Sequence, residues 1–101
     1  MTVTMIVHNQ VRDFDDWKEA FDRYDRFRAE HHVRAYRILR ETADPSRLVI
    51  ELDFDSTQDA LGHLTGLRKI WATPLSRDQL VSHEEPVIMS LVESEGATGA
   101  P

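Results

Sequence analysis

Residues 13–31 read DFDDWKEAFDRYDRFRAEH, and this stretch restricts the possible folds more than any other. Phe14, Trp17, Ala20, Phe21, Tyr24 and Phe27 recur at spacings of three and four, which lines them up along one face of an α-helix. Asp15, Asp16, Lys18, Glu19, Asp22, Arg23, Asp25 and Arg26 fall between them and make a charged face for water. The spacing predicts one helix over 13–31, with Asp13 as its N-cap and Arg26, Arg28 and His31 near its negative end. An aromatic ridge of this size needs a second layer to cover it.

Alternating segments supply that layer. Residues 2–10 place Val3, Met5 and Val7 against Thr4, Ile6 and His8, the period of two that marks a strand. Residues 33–40 and 47–54 alternate in the same way, and the Asp44-Pro45 turn between them predicts a hairpin. Ser56-Thr57-Gln58-Asp59 resembles a capping box, opening a second helix with Ala60, Leu61, Leu64, Leu67 and Trp71 on one side. Gly62 and Gly66 weaken that helix, and a break is expected near Thr65. Residues 73–85 are irregular or hold one short helix after Pro74, and 86–93 form the last strand. Residues 1–93 thus read as one domain, followed by a disordered C-terminal tail over 94–101 that is rich in Gly, Ala, Ser and Thr.

The order β-α-β-β-α-β predicts the α+β class, a ferredoxin-like sandwich with both helices on one side of a four-stranded antiparallel sheet. The helical side is expected to receive Val3, Met5 and Val7, then Val33, Ala35 and Leu39, then Leu48, Ile50, Leu52 and Phe54, and finally Val87, Met89 and Leu91. The reverse face then holds Ile6, Tyr36, Ile38, Val49, Ile88 and Val92. So much apolar surface exceeds what soluble monomers expose, which predicts a homodimer packed through the sheet face.

Composition narrows the partners. A net charge of −6, with basic residues interleaved among acids, argues against nucleic acid or an anionic membrane surface. No run approaches the roughly 20 apolar residues of a membrane span, and no signal-peptide pattern opens the chain, so a cytoplasmic address is expected. With no cysteine there is no thiolate nucleophile or Cys-ligated metal, and the histidines show no HxH or HxxxH spacing, so no metal site is expected.

The segments VRDFDDWKEAFD, RILRETADPSRLVIELDF, STQDALGHL and PVIMSLVE resemble the dimeric α+β barrel superfamily, specifically its antibiotic-biosynthesis-monooxygenase-like members. The resemblance spans about Met5 to Glu93. It implies a pocket between helices and sheet, and a range of activities that includes cofactor-independent oxygenases of aromatic polyketides, polyketide cyclases, haem-degrading oxygenases and isomerases. In the haem-degrading and anthrone-oxidising relatives an Asn ending the first strand lines the pocket, and Asn9 stands there. The relatives' Trp on the helix after the third strand falls on His63 in this chain, a departure from the pattern, and Trp71 lies two turns later. The relatives' axial His has no clear counterpart near Ala72 and Thr73, so no cofactor is expected.

Polar groups on an apolar inner face need a partner or a task. Asn9 and Arg37, read as interrupting such a face, are therefore candidates to hold an oxyanion, with His63 as general base. Tyr24, Trp71 and Phe21 are candidates to stack on a substrate ring. Each has a structural alternative: Asn9 closing a strand end, Arg37 paired with Glu51 or Asp53, His63 at a helix flank, Tyr24 and Trp71 in the core. Two functions follow. One is a cofactor-independent monooxygenase or cyclase acting on an aromatic or polyketide-like small molecule. The other is a non-catalytic dimer that binds a hydrophobic metabolite or serves structurally.

Overall fold

The computed structural model describes residues 1–95. Its elements run β1 (Val3–Val11), α1 (Phe14–Arg23), α2 (Asp25–Glu30), β2 (Ala35–Arg40), β3 (Arg47–Phe54), α3 (Thr57–Trp71), α4 (Pro74–Gln79), β4 (Leu80–His83) and β5 (Val87–Ser90). Most of the tail expected over 94–101 lies outside the described residues.

β1 is the central strand. It pairs antiparallel with β3 on one side, Met5 opposite Leu52 and Val7 opposite Ile50, and β3 pairs onward with β2. On its other side β1 holds both β4, near Asn9–Val11, and β5, near Val3–Ile6. The fourth strand of the expected sandwich is therefore present in two pieces, separated by residues 84–86. Pro86 lacks the N–H that a continuous ladder requires, which accounts for the break. β4 was not foreseen, because LVSH is too short to show a period.

The core follows the alternation of β1 and β3. Val3, Met5, Val7 and Val11 from β1 and Leu48, Ile50, Leu52 and Phe54 from β3 are buried against Trp17, Ala60 and Leu64 of the helices. Asp13 caps α1 by accepting the Asp16 N–H at 3.0 Å, and Ser56 caps α3 from the Asp59 N–H at 3.1 Å, both as their spacing predicts. Thr73 and Pro74 open α4.

Three expectations are corrected. The helix predicted over 13–31 is two helices, broken at Tyr24, where the backbone (φ −93°, ψ 16°) leaves helical geometry. No break occurs near Thr65, and α3 continues through both glycines. The face assignment of β2 and β5 is inverted. Tyr36 and Ile38 lie opposite Leu52 and Ile50, and Ile88 lies opposite Met5, so all three face the helices. Ala35, Arg37, Leu39, Val87 and Met89 occupy the reverse face with Ile6 and Val49. Both strands carry apolar residues in both phases, and the register with their neighbours decides between them. Arg37, one of the expected inner-face residues, goes to the reverse face with β2.

His32, after α2, has φ 66°, the left-handed conformation that helix ends usually give to glycine.

Candidate active site

A cavity of about 90 Å³ lies between the helices and the inner face of the sheet. That is several times the roughly 10–15 Å³ needed by one water. Its walls are mainly apolar and aromatic, and five of the six residues singled out from the sequence line it: Asn9, Phe21, Tyr24, His63 and Trp71.

Asn9 reaches the cavity because it continues the buried phase of β1, held by pairing with Leu48 and His83 on either side. Its Oδ1 is buried with no hydrogen-bond partner among the described residues. His63, in the second turn of α3, is 1% exposed, with the rings of Phe27, Phe54 and His31 at 5.2, 5.5 and 5.7 Å. Neither of its ring nitrogens is bonded within the described residues. Burial, helped by the nearby His31 and Arg28, pushes its pKa down from 6.5 to about 4, so at neutral pH it is an uncharged imidazole with an available lone pair.

The aromatic wall is built from the helix ends. Phe21 stacks on Trp17 at 5.1 Å and meets Tyr36 edge-on at the same distance. Tyr24 sits at the break between α1 and α2, edge-on to Phe27. Trp71, the last residue of α3, stacks on His83 of β4 at 4.5 Å.

Arg37 is not brought to the cavity. On the reverse face its Nε donates to Glu51 at 2.7 Å and its Nη1 to Asp53 at 3.2 Å, the pairing that was its structural alternative. The cation at the cavity is Arg28, whose place near the end of α2 suits a helix-end charge equally well. It is 6% exposed, its guanidinium lies 3.6 Å from the Phe21 ring centre, and Nη1 donates to the Phe21 carbonyl at 2.7 Å. Its spacing was the available signal: Arg28 follows Phe21 by seven residues and Tyr24 by four, which puts it on the apolar stripe. Ser76 and Gln79 of α4 and Leu80 of β4 also line the cavity, from a stretch whose structure was the least determined by sequence.

The arrangement combines an apolar, aromatic-lined cavity, a neutral imidazole, an amide and a guanidinium, several of whose polar atoms are buried without partners among the described residues. Such groups can accept a proton, bind an oxygen substituent and hold an anion in a place where water is scarce. Among the described residues no three His, Asp or Glu side chains cluster as a metal site would require, and no helix is long and apolar enough to cross a membrane.

Solved structures share this architecture. SnoaB, a cofactor-independent oxygenase from Streptomyces nogalater, matches with a TM-score of 0.67 at 16% identity, over 92% of this chain and 95% of its own. A candidate antibiotic biosynthesis monooxygenase from Nitrosomonas europaea matches at 0.65 and 19% identity over 94% of each chain. Another, from Chloroflexus aurantiacus J-10-fl, matches at 0.65 and 13% identity over 95% of this chain and 98% of that one. At such identities the likeness establishes the fold alone: this chain has the ferredoxin-like α+β fold that these structures share. No family model matches the chain, and no curated protein matches it by sequence.

Proposed function

We propose that a chain with this fold and this cavity is a cofactor-independent oxygenase, or a cyclase, acting on an aromatic, polyketide-like small molecule. The observation that carries the reading is the buried, unbonded imidazole of His63 in an aromatic-lined slot that also contains Asn9. His63 takes a proton from an acidic phenol or an activated CH, and the Nδ2–H of Asn9 donates to the oxygen on which the negative charge then rests. The carbanion supplies the electrons: a CH₂ flanked by aromatic rings, with one O₂, gives a ketone and one water, so no flavin or metal is needed. Phe21, Tyr24 and Trp71 hold the rings. With Arg37 on the reverse face, the oxyanion role falls to Asn9 alone.

The same reading includes a homodimer through the sheet face. Leu39 and Met89 on the reverse face are 49% and 50% exposed, and Ile6, Val49 and Val87 lie between and beside them. A second copy would cover this apolar surface.

Oxygen uptake with anthrone- and naphthol-type compounds tests the enzymatic reading. His63→Ala and Asn9→Ala are each expected to lower the rate by about 10²-fold. Rates unchanged from the parent protein remove both roles. The low proton affinity of His63 favours a second reading, a binding protein without turnover. Saturable ligand binding without oxygen uptake or ring closure identifies that case.

A further inference from the structure

We infer that the cavity is a receptor for a planar aromatic carboxylate, gripped by the Nε and Nη2 edge of Arg28. This deepens the proposed function, since it rests on the cavity being a small-molecule site, and it names the charge that the molecule carries.

The guanidinium of Arg28 is buried, yet it has no carboxylate at hydrogen-bond distance. Asp25 Oδ1 is 3.9 Å from Nη2, and that side chain is largely exposed. Nη1 is committed to the Phe21 carbonyl at 2.7 Å. Nε and Nη2 are buried and have no partner among the described residues. These two nitrogens present parallel N–H groups along one edge of the planar group, spaced to meet the two oxygens of a carboxylate. A buried cation with that edge unbonded is costly unless an anion completes it.

Local packing holds the group still. The Phe21 ring covers one face of the guanidinium at 3.6 Å, and the Tyr36 ring stands at 5.2 Å. The Phe21 carbonyl that accepts from Nη1 also accepts the Tyr24 N–H at 3.1 Å, so the cation is tied to the break between α1 and α2. Beyond Arg28 the slot is bounded by Trp17, Leu52, Leu67 and Trp71, which suits a flat hydrocarbon body. The charged end and the apolar slot therefore select an aromatic acid over a neutral phenol and over an inorganic anion. Docking also bears on the base, because an anion on Arg28 offsets one of the influences that keep His63 uncharged.

Calorimetric titration of the intact chain under nitrogen, with 2-naphthoate and with 2-naphthamide, tests the receptor without any turnover. The acid is expected to bind at least 10-fold more tightly than the amide. Arg28→Met should abolish that preference by weakening the acid far more than the amide, and Arg28→Lys, which keeps the charge but not the fork, should retain only part of it. Equal affinities, no binding of the acid, or undiminished binding of the acid by Arg28→Met overturns the inference. If Arg28→Met does not fold, the comparison of acid with amide on the unsubstituted chain decides alone. An acid preference with no oxygen uptake on any substrate overturns the oxygenase reading and leaves the receptor standing. Oxygen uptake with no acid preference does the reverse.

Discussion

Gly66 of α3 lies so close to Phe27 of α2 that a Cβ at position 66 would stand 2.5 Å from Phe27 Cζ, with His31 Cε1 at 3.3 Å. Phe27 cannot move aside cheaply, because its ring is packed against His31 at 4.1 Å and His63 at 5.2 Å. Gly62, one turn earlier, has nothing within 4 Å of the same atom. Identical substitutions should therefore have opposite signs. Gly62→Ala is expected to stabilise by about 0.5–1 kcal/mol through helix propensity alone. Gly66→Ala is expected to destabilise by about 1 kcal/mol, since overpacking outweighs the same gain. Urea denaturation of both variants measures the difference, and two stabilised variants would show that Phe27 yields.

His63 should make the protein sensitive to mild acid. Its pKa is about 4 in the folded chain against 6.5 for an unperturbed imidazole, so between those values the unfolded chain binds the extra proton. Its contribution to stability is complete above pH 6.5, falls on descent through the window, and is lost by about pH 4, a decline of roughly 3 kcal/mol. Asp44, Asp53 and Asp55 also have lowered pKa values, and their contributions fade at lower pH, below most of this window. Denaturation midpoints at a series of pH values should slope steeply for the parent and flatten in His63→Leu. Parallel slopes would mean that His63 titrates normally in the folded chain.

The left-handed backbone at His32 predicts a stabilising substitution. A residue with a Cβ at φ 66° carries about 1 kcal/mol of strain that glycine avoids. His32→Gly is expected to gain about 0.5 kcal/mol, part of the relief being offset by the greater freedom of glycine in the unfolded chain. A rise in the urea midpoint at constant slope is the readout. A fall would reveal that the imidazole itself contributes more than its strain costs.

The proposed dimer predicts that Leu39→Glu produces a monomer. Leu39 is half exposed in the isolated protomer, so a charge there costs the fold little, but burying it between two sheets without a partner is unfavourable. Light scattering after size exclusion should give twice the chain mass for the parent and the single chain mass for the variant. A monomeric parent, or a dimeric variant, argues against packing through this face.

How far the sequence revealed the structure depended on contrast within each segment. β1 and β3 alternate apolar with polar residues, so both their existence and their inner phase were legible. β2 and β5 place Tyr36, Ile38 and Ile88 in one phase and Leu39, Val87 and Met89 in the other, and no local signal separates the two. The choice is made by pairing across the sheet and by the Arg37 contacts with Glu51 and Asp53, which are contacts distant in sequence. The cavity residues divide likewise. Asn9, Phe21, Tyr24 and Trp71 sit on faces that the periodicity identified. Arg28 shares the stripe of Phe21 and Tyr24, but a basic residue near a helix end has an ordinary electrostatic explanation, and that explanation hid it. The break at Tyr24 carries no Gly or Pro to announce it.

The division of the last strand has a further implication. On the side of β1 away from β3, β5 pairs with Val3 to Ile6, while α4 and β4 are fastened separately, by the Arg12 N–H to the Gln79 carbonyl at 2.9 Å and the Glu84 N–H to the His8 carbonyl at 3.1 Å. The segment from Thr73 to Glu84 thus forms one wall of the cavity on attachments of its own, carrying Ser76, Gln79, Leu80 and the His83 that backs Trp71. Substitutions there would reshape that wall of the cavity while the strands and helices that carry Asn9, Arg28 and His63 stay in place.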